Sequence, residues 1–150
     1  MRRLGLFRIS ALLGSIVLAF LTISGRAQQP SLVWLGTLGG NQSGATDVLA
    51  DGSVVVGWAY NALGQMRAFR WTAATGMQDI IAPNIPEAAA HGVSADGTVV
   101  IGTAYYGQHY RAFLWRHQVM YDLGTLGGFD SEAHDVSADG TIVVGTAYNA

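Results

Sequence analysis

Four histidines and ten carboxylates make up the chain's stock of proton-transfer and metal-binding groups. Their spacing is regular. Asp51, Asp96 and Asp139 each stand directly before a glycine, and Asp47 and Asp135 lie four residues ahead of the first and last of them. Calcium asks for six to eight oxygens, and a calcium loop alternates several acids before its glycine. Val, Ala, Ser and Leu fill those places here. The pairs Asp51-Gly52, Asp96-Gly97 and Asp139-Gly140 therefore read as structural turns. His91 and His134 fall at matching places where an earlier stretch has Thr46. A metal would need both to converge with a third ligand, so they read as hydrogen-bonded strand residues. His109 and His117 flank "YRAFLW" near turns and are expected to face solvent. Outside the Asp-Gly turns, the one Gly-Ser pair is Gly14-Ser15 near the N-terminus, so no nucleophile elbow is present. Ten acids offer many pairs for glycoside hydrolysis without singling one out. No catalytic residue, cofactor site or metal ligand is assigned.

The glycine-rich hexapeptide "LGTLGG" occurs at residues 35–40 and again at 123–128. Glycines let backbone amides approach a phosphate, but no Lys-Ser/Thr follows and no helix pattern opens after them. Architecture explains the recurrence better. Residues 35–62 and 123–150 align without a gap, with 20 of 28 positions identical. The offset of 88 is twice 44, and a middle copy is present: "AHGVSADGTVVIGTAYY" at 90–106 matches "AHDVSADGTIVVGTAYN" at 133–149. "RAFRW" at 67–71 and "RAFLW" at 111–115 repeat at the same period. In the middle unit "IIAPNI" replaces the hexapeptide, which a phosphate cradle required in every unit would not tolerate. The hexapeptide reads as a strand end followed by a glycine turn into the next repeat.

Each unit divides into four short strands: "ATDVLA" or its equivalents, a Val/Ile run, "RAF-x-W", and "MQDII" or "VMYDLGTL". Asp-Gly between the first two predicts a two-residue hairpin turn with positive φ at both positions. The Val/Ile runs are apolar on both strand faces, as in a strand covered on both sides. No stretch after residue 28 carries capped helical periodicity. The fold class is all-β, with tandem four-stranded antiparallel units of about 44 residues arranged as β-propeller blades. A β-trefoil, also built from four-stranded units, is the alternative. The units span about 35–79, 80–122 and an incomplete 123–150, roughly two and two-thirds blades. A closed propeller needs more, so either a longer protein or self-association of several chains would complete the ring.

The combined pattern "DLGTLGG", "A-H-D/G-V-S-A-D-G-T" and "RAF-x-W" resembles the extracellular HAF-family repeat of bacteria over residues 33–150. That resemblance implies an exported or surface protein of propeller-like repeats. It implies no catalytic residues.

The ends and the charge agree with export. Arg2, Arg3 and Arg8 precede an uncharged, mostly apolar run of 15 at residues 9–23, and small residues Gly25 and Ala27 lead to Gln28. Since a membrane span needs about 20 apolar residues, residues 1–27 read as a signal peptide, with an uncleaved membrane anchor as the rival. Beyond Gln28, four arginines face ten acids, a net charge of −6 with no lysine. This argues against nucleic acid and anionic membrane surfaces as partners. With no cysteine, stability rests on packing. The aromatic side chains are the contact candidates. Tyr60, Tyr105 and Tyr148 share one repeat position and are assigned to packing between units. Trp58, Tyr106 and Tyr110 vary between units and are expected to meet a glycan or protein partner. The expected function is a secreted, cell-surface or periplasmic repeat scaffold that binds without catalysis. The alternatives are a fragment of a secreted carbohydrate-active enzyme and a purely structural surface passenger.

Overall fold

A computed structural model describes residues 32–150; the leader assigned to residues 1–27 lies outside them. Ten strands form three antiparallel sheets, and the described residues contain no helix. The first sheet runs in chain order β1 (Gly39–Val48), β2 (Val54–Asn61), β3 (Met66–Thr72), β4 (Gly76–Asp79). The second repeats that order with β5 (Glu87–Val93), β6 (Val99–Tyr105), β7 (Tyr110–Arg116) and β8 (Val119–Asp122). The third has two strands, β9 (Gly127–Val136) and β10 (Val143–Asn149). The four-strand unit is thus present, and the sheets stack without closing on themselves.

Stacking covers both faces of β6, whereas in β2 the Val55 and Ala59 face packs with Leu35, Leu38, Trp71 and Met77. Val54, Val55 and Val56 of β2 are buried, as are six consecutive residues of β6. One apolar cluster joins the first two sheets through Val54, Val56, Ala68, Ala88, Ala90, Val100 and Phe113. Another joins the second and third through Val99, Ile101, Ala112 and Ala133. The β10 strand has nearly the sequence of β6 yet is largely exposed, because among the described residues no further sheet covers it.

Two local expectations are corrected. The fourth strands stop at Asp79 and Asp122, before "IIAPNI" and the second hexapeptide respectively, and the last two glycines of the two hexapeptides open β1 and β9. Gly36, Gly39, Gly124 and Gly127 all have positive φ. Thr37 and Thr125 donate from Oγ1 to the carbonyls of Gly40 and Gly128 at 2.9 and 2.8 Å, so the two copies fold alike. The hexapeptide is a hydrogen-bonded entry turn.

The Asp-Gly pairs do not form two-residue turns. Leu49 N donates to Val54 O at 3.0 Å and Gly52 N to Leu49 O at 2.8 Å, enclosing a four-residue loop in which Gly52 alone has positive φ. The same loop recurs at Gly97 and Gly140. Here the aspartate is an acceptor. Asp51 Oδ1 takes the N–H and hydroxyl of Ser53, and Asp96 and Asp139 do the same with Thr98 and Thr141. That local bonding holds the aspartate out of the left-handed region. The tight turn lies instead at His117-Gln118, with φ of 51° and 64°, between the paired Arg116 and Val119.

Candidate functional site

The sheets are joined by polar contacts that recur at the repeat spacing. Thr46 on β1 donates from Oγ1 to Ala90 O on β5 at 2.8 Å. His91 on β5 occupies the equivalent place and meets Ala133 O on β9 at 2.7 Å through Nδ1. A carbonyl only accepts, so Nδ1 carries the proton and Nε2 is left over. Asp47 Oδ2 likewise accepts from Val93 N of the next sheet at 2.9 Å. In the last unit His134 is exposed, its Nε2 3.4 Å from Thr146 Oγ1. Both repeat-equivalent histidines are strand residues, and His91 acts as a clamp between sheets.

Arg67 is the polar group that sequence reasoning missed. It opens "RAF" on β3 and is 3% exposed. Its Nε donates to Asp79 Oδ2 at 2.8 Å, and its terminal nitrogens bond the carbonyls of Ile81 (2.9 Å), Ala82 (3.2 Å) and Ile85. The "IIAPNI" connector is thereby wrapped around a guanidinium. Arg111, its counterpart, has only an ion pair to Asp122 at 3.9 Å and a buried Nε without a partner. The recurrence of Arg followed 11 or 12 residues later by Asp was the available signal.

One cavity, about 670 Å³, is lined by Arg70, Asp79, Ile80, Trp115 and Met120 among others. Its charged groups are already committed: Arg70 Nε donates to Gly97 O at 3.1 Å, and Asp79 accepts from Arg67 and from Ile81 N. A smaller cavity of about 250 Å³ has chemistry to spare. Met66 of the first sheet, Glu87, His91, Thr103 and Tyr110 of the second, and Glu132 of the third line it. Thr103 is 9% exposed, and its Oγ1 has no hydrogen-bond partner. Neither Glu87 nor Glu132 is in an ion pair among the described residues.

Of the contact candidates, Tyr110 lines the smaller cavity and Trp58 and Tyr106 do not. Trp58 lies over Gly44, so closely that a Cβ there would stand 2.8 Å from the indole, and meets Tyr60 edge-on at 5.9 Å. Tyr110 is 47% exposed, packs against Tyr105 at 5.0 Å and lines the smaller cavity. Its N–H donates to Asp130 Oδ1 at 2.8 Å, while His109 stacks on Phe129 at 4.9 Å, docking this hairpin on the third sheet. Tyr106 is 41% exposed and outside that lining; partial burial, then the charge of Asp122, raises its phenol above the usual value. No three His, Asp or Glu side chains among the described residues are grouped to hold a metal. The chain matches no family model, and a comparison with curated proteins finds no match.

Proposed function

We propose that the chain is an exported repeat scaffold, secreted or held at the cell surface, that presents a binding surface and has no catalysis of its own. In this reading its sheets are blades of a propeller-like ring within a longer protein. The carrying observation is the division of labour between repeat positions. Residues equivalent from unit to unit join the sheets, as Thr46 and His91 do. Of the residues that vary, Tyr106 and Tyr110 are left exposed on that frame, while Trp58 packs over Gly44. The repeat pattern's resemblance to extracellular HAF-type repeats and the leader-like N-terminus support export.

Glycan and cell-surface protein arrays probed with the exported chain test the binding role. Capture that weakens in Trp58→Ala, Tyr106→Ala or Tyr110→Ala, with an unchanged β-sheet spectrum, is expected; no capture across both arrays overturns it. N-terminal sequencing of the exported product should begin at Gln28, and an intact Met1 would mean an anchor instead. A second reading, a carbohydrate-active enzyme fragment, draws on Glu87 and Glu132 lining one cavity. Release of nitrophenol from aryl glycosides, lost in Glu87→Gln, is its signature.

A further inference from the structure

Three cross-strand pairs occupy one repeat position: Gly44 opposite Trp58, Ala89 opposite Thr103, and Glu132 opposite Thr146. In the first sheet the indole of Trp58 lies over Gly44 and fills the space. In the second, threonine replaces tryptophan, and the 250 Å³ cavity lies beside it. A change at a repeat-variable position coincides with this space.

Its lining has a definite character. Glu87 and Glu132 bring two carboxylates from different sheets, and neither meets a cation among the described residues. Of the sheets' arginines, Arg67 is engaged with Asp79 and the connector, Arg111 with Asp122 and Arg70 with Gly97, and Arg116 lies outside the cavity lining. Tyr110 supplies an aromatic ring and Met66 a polarizable sulfur. Thr103 is nine-tenths buried with an unpartnered hydroxyl. A buried polar group without a partner is unfavourable, and rotation about χ1 between staggered wells re-aims a threonine hydroxyl. Acceptors, an aromatic face and an apolar wall together suit a positively charged nitrogen. Bare metal ions need more oxygens at closer quarters than two carboxylates from separate sheets.

We propose that this cavity binds a small aliphatic ammonium, with Glu87 and Glu132 balancing its charge, Tyr110 facing it and Thr103 completing its hydrogen bonds. The assignment rests on reading the chain as a binding module and names the ligand class of one site on it.

Titration calorimetry of the exported chain with 1,4-diaminobutane, 1,4-butanediol and calcium chloride tests it. The diamine should bind, and the isosteric diol and calcium should not. Glu87→Gln with Glu132→Gln should weaken the diamine by at least about tenfold. Ala89→Gly with Thr103→Trp rebuilds the filled arrangement of the first sheet and should abolish binding while keeping the thermal transition. Equal binding of the diol, or stronger binding of calcium, overturns the ammonium assignment. Diamine binding undiminished in the filled variant places the ligand elsewhere and overturns the site; if that variant does not fold, the glutamine pair decides. Absence of diamine binding while array capture persists removes this site alone, whereas loss of both removes the binding-module reading.

Discussion

The Nδ1–H of His91 donates across the gap between sheets to the carbonyl oxygen of Ala133, 2.7 Å away. Thr46 makes the same connection to Ala90 one unit earlier. Ala133 is 1% exposed, so removing the donor deprives a buried carbonyl of this bond. His91→Ala should lower stability by about 1–2 kcal/mol in urea titration. His91→Thr, the residue the first unit uses, should lose less.

Arg67 and Arg111 are equivalent in sequence and unequal in structure. Removing the Arg67 guanidinium strands Asp79 and three connector carbonyls, so Arg67→Met should cost about 3–5 kcal/mol. Arg111→Met breaks a single long ion pair and relieves a buried unpartnered Nε. Its effect should be at most about 1 kcal/mol. Matched denaturation curves check the contrast, and equal losses would sink it.

The Asp-Gly loops differ in what lies against the glycine. A Cβ on Gly52 meets open space, whereas one on Gly97 would stand 2.9 Å from Val54 and one on Gly140 2.7 Å from Val99 of the preceding unit. Gly52→Ala suffers only the positive-φ penalty, about 1–2 kcal/mol. Gly140→Ala adds overpacking of about 1–3 kcal/mol. Thermal melts should rank Gly140→Ala below Gly52→Ala.

The same loops are expected to contribute to acid sensitivity. Hydrogen bonds from Ser94 first, then Thr98, lower the Asp96 carboxyl to about 2, while Ser53 lowers Asp51 and Ser137 lowers Asp139. A carboxyl depressed in the folded state stabilises it above the unfolded value, near 3.8, and that contribution fades as pH falls toward about 2. Asp96→Asn should flatten the loss of stability between these limits. A slope identical to that of the parent chain would show that the hydrogen bonds carry no linkage.

At the tight turn, His117 and Gln118 both hold φ values that favour glycine. Gln118→Gly should raise stability by about 1 kcal/mol, read from the urea midpoint.

Much of the fold was legible because its signals are local. The 44-residue period, the four strands per unit and the buried Val/Ile strand follow from residue order alone. The place of each Asp-Gly loop was equally plain, though its type was not. Counting turn residues favoured a two-residue turn, and the hydrogen bonds from Ser53, Thr98 and Thr141 to the aspartates produced a longer one.

Tertiary contacts decided the rest. Residue order by itself established a repeating all-β chain and marked Trp58, Tyr106 and Tyr110 as its variable aromatics. Only the tertiary structure showed that Trp58 covers Gly44, that Tyr110 shares a cavity with two carboxylates from different sheets, and that Arg67 is buried. β6 and β10 make the reason plain. Their sequences nearly coincide, but burial belongs to what lies on a strand, and among the described residues β6 has a sheet on each side while β10 does not.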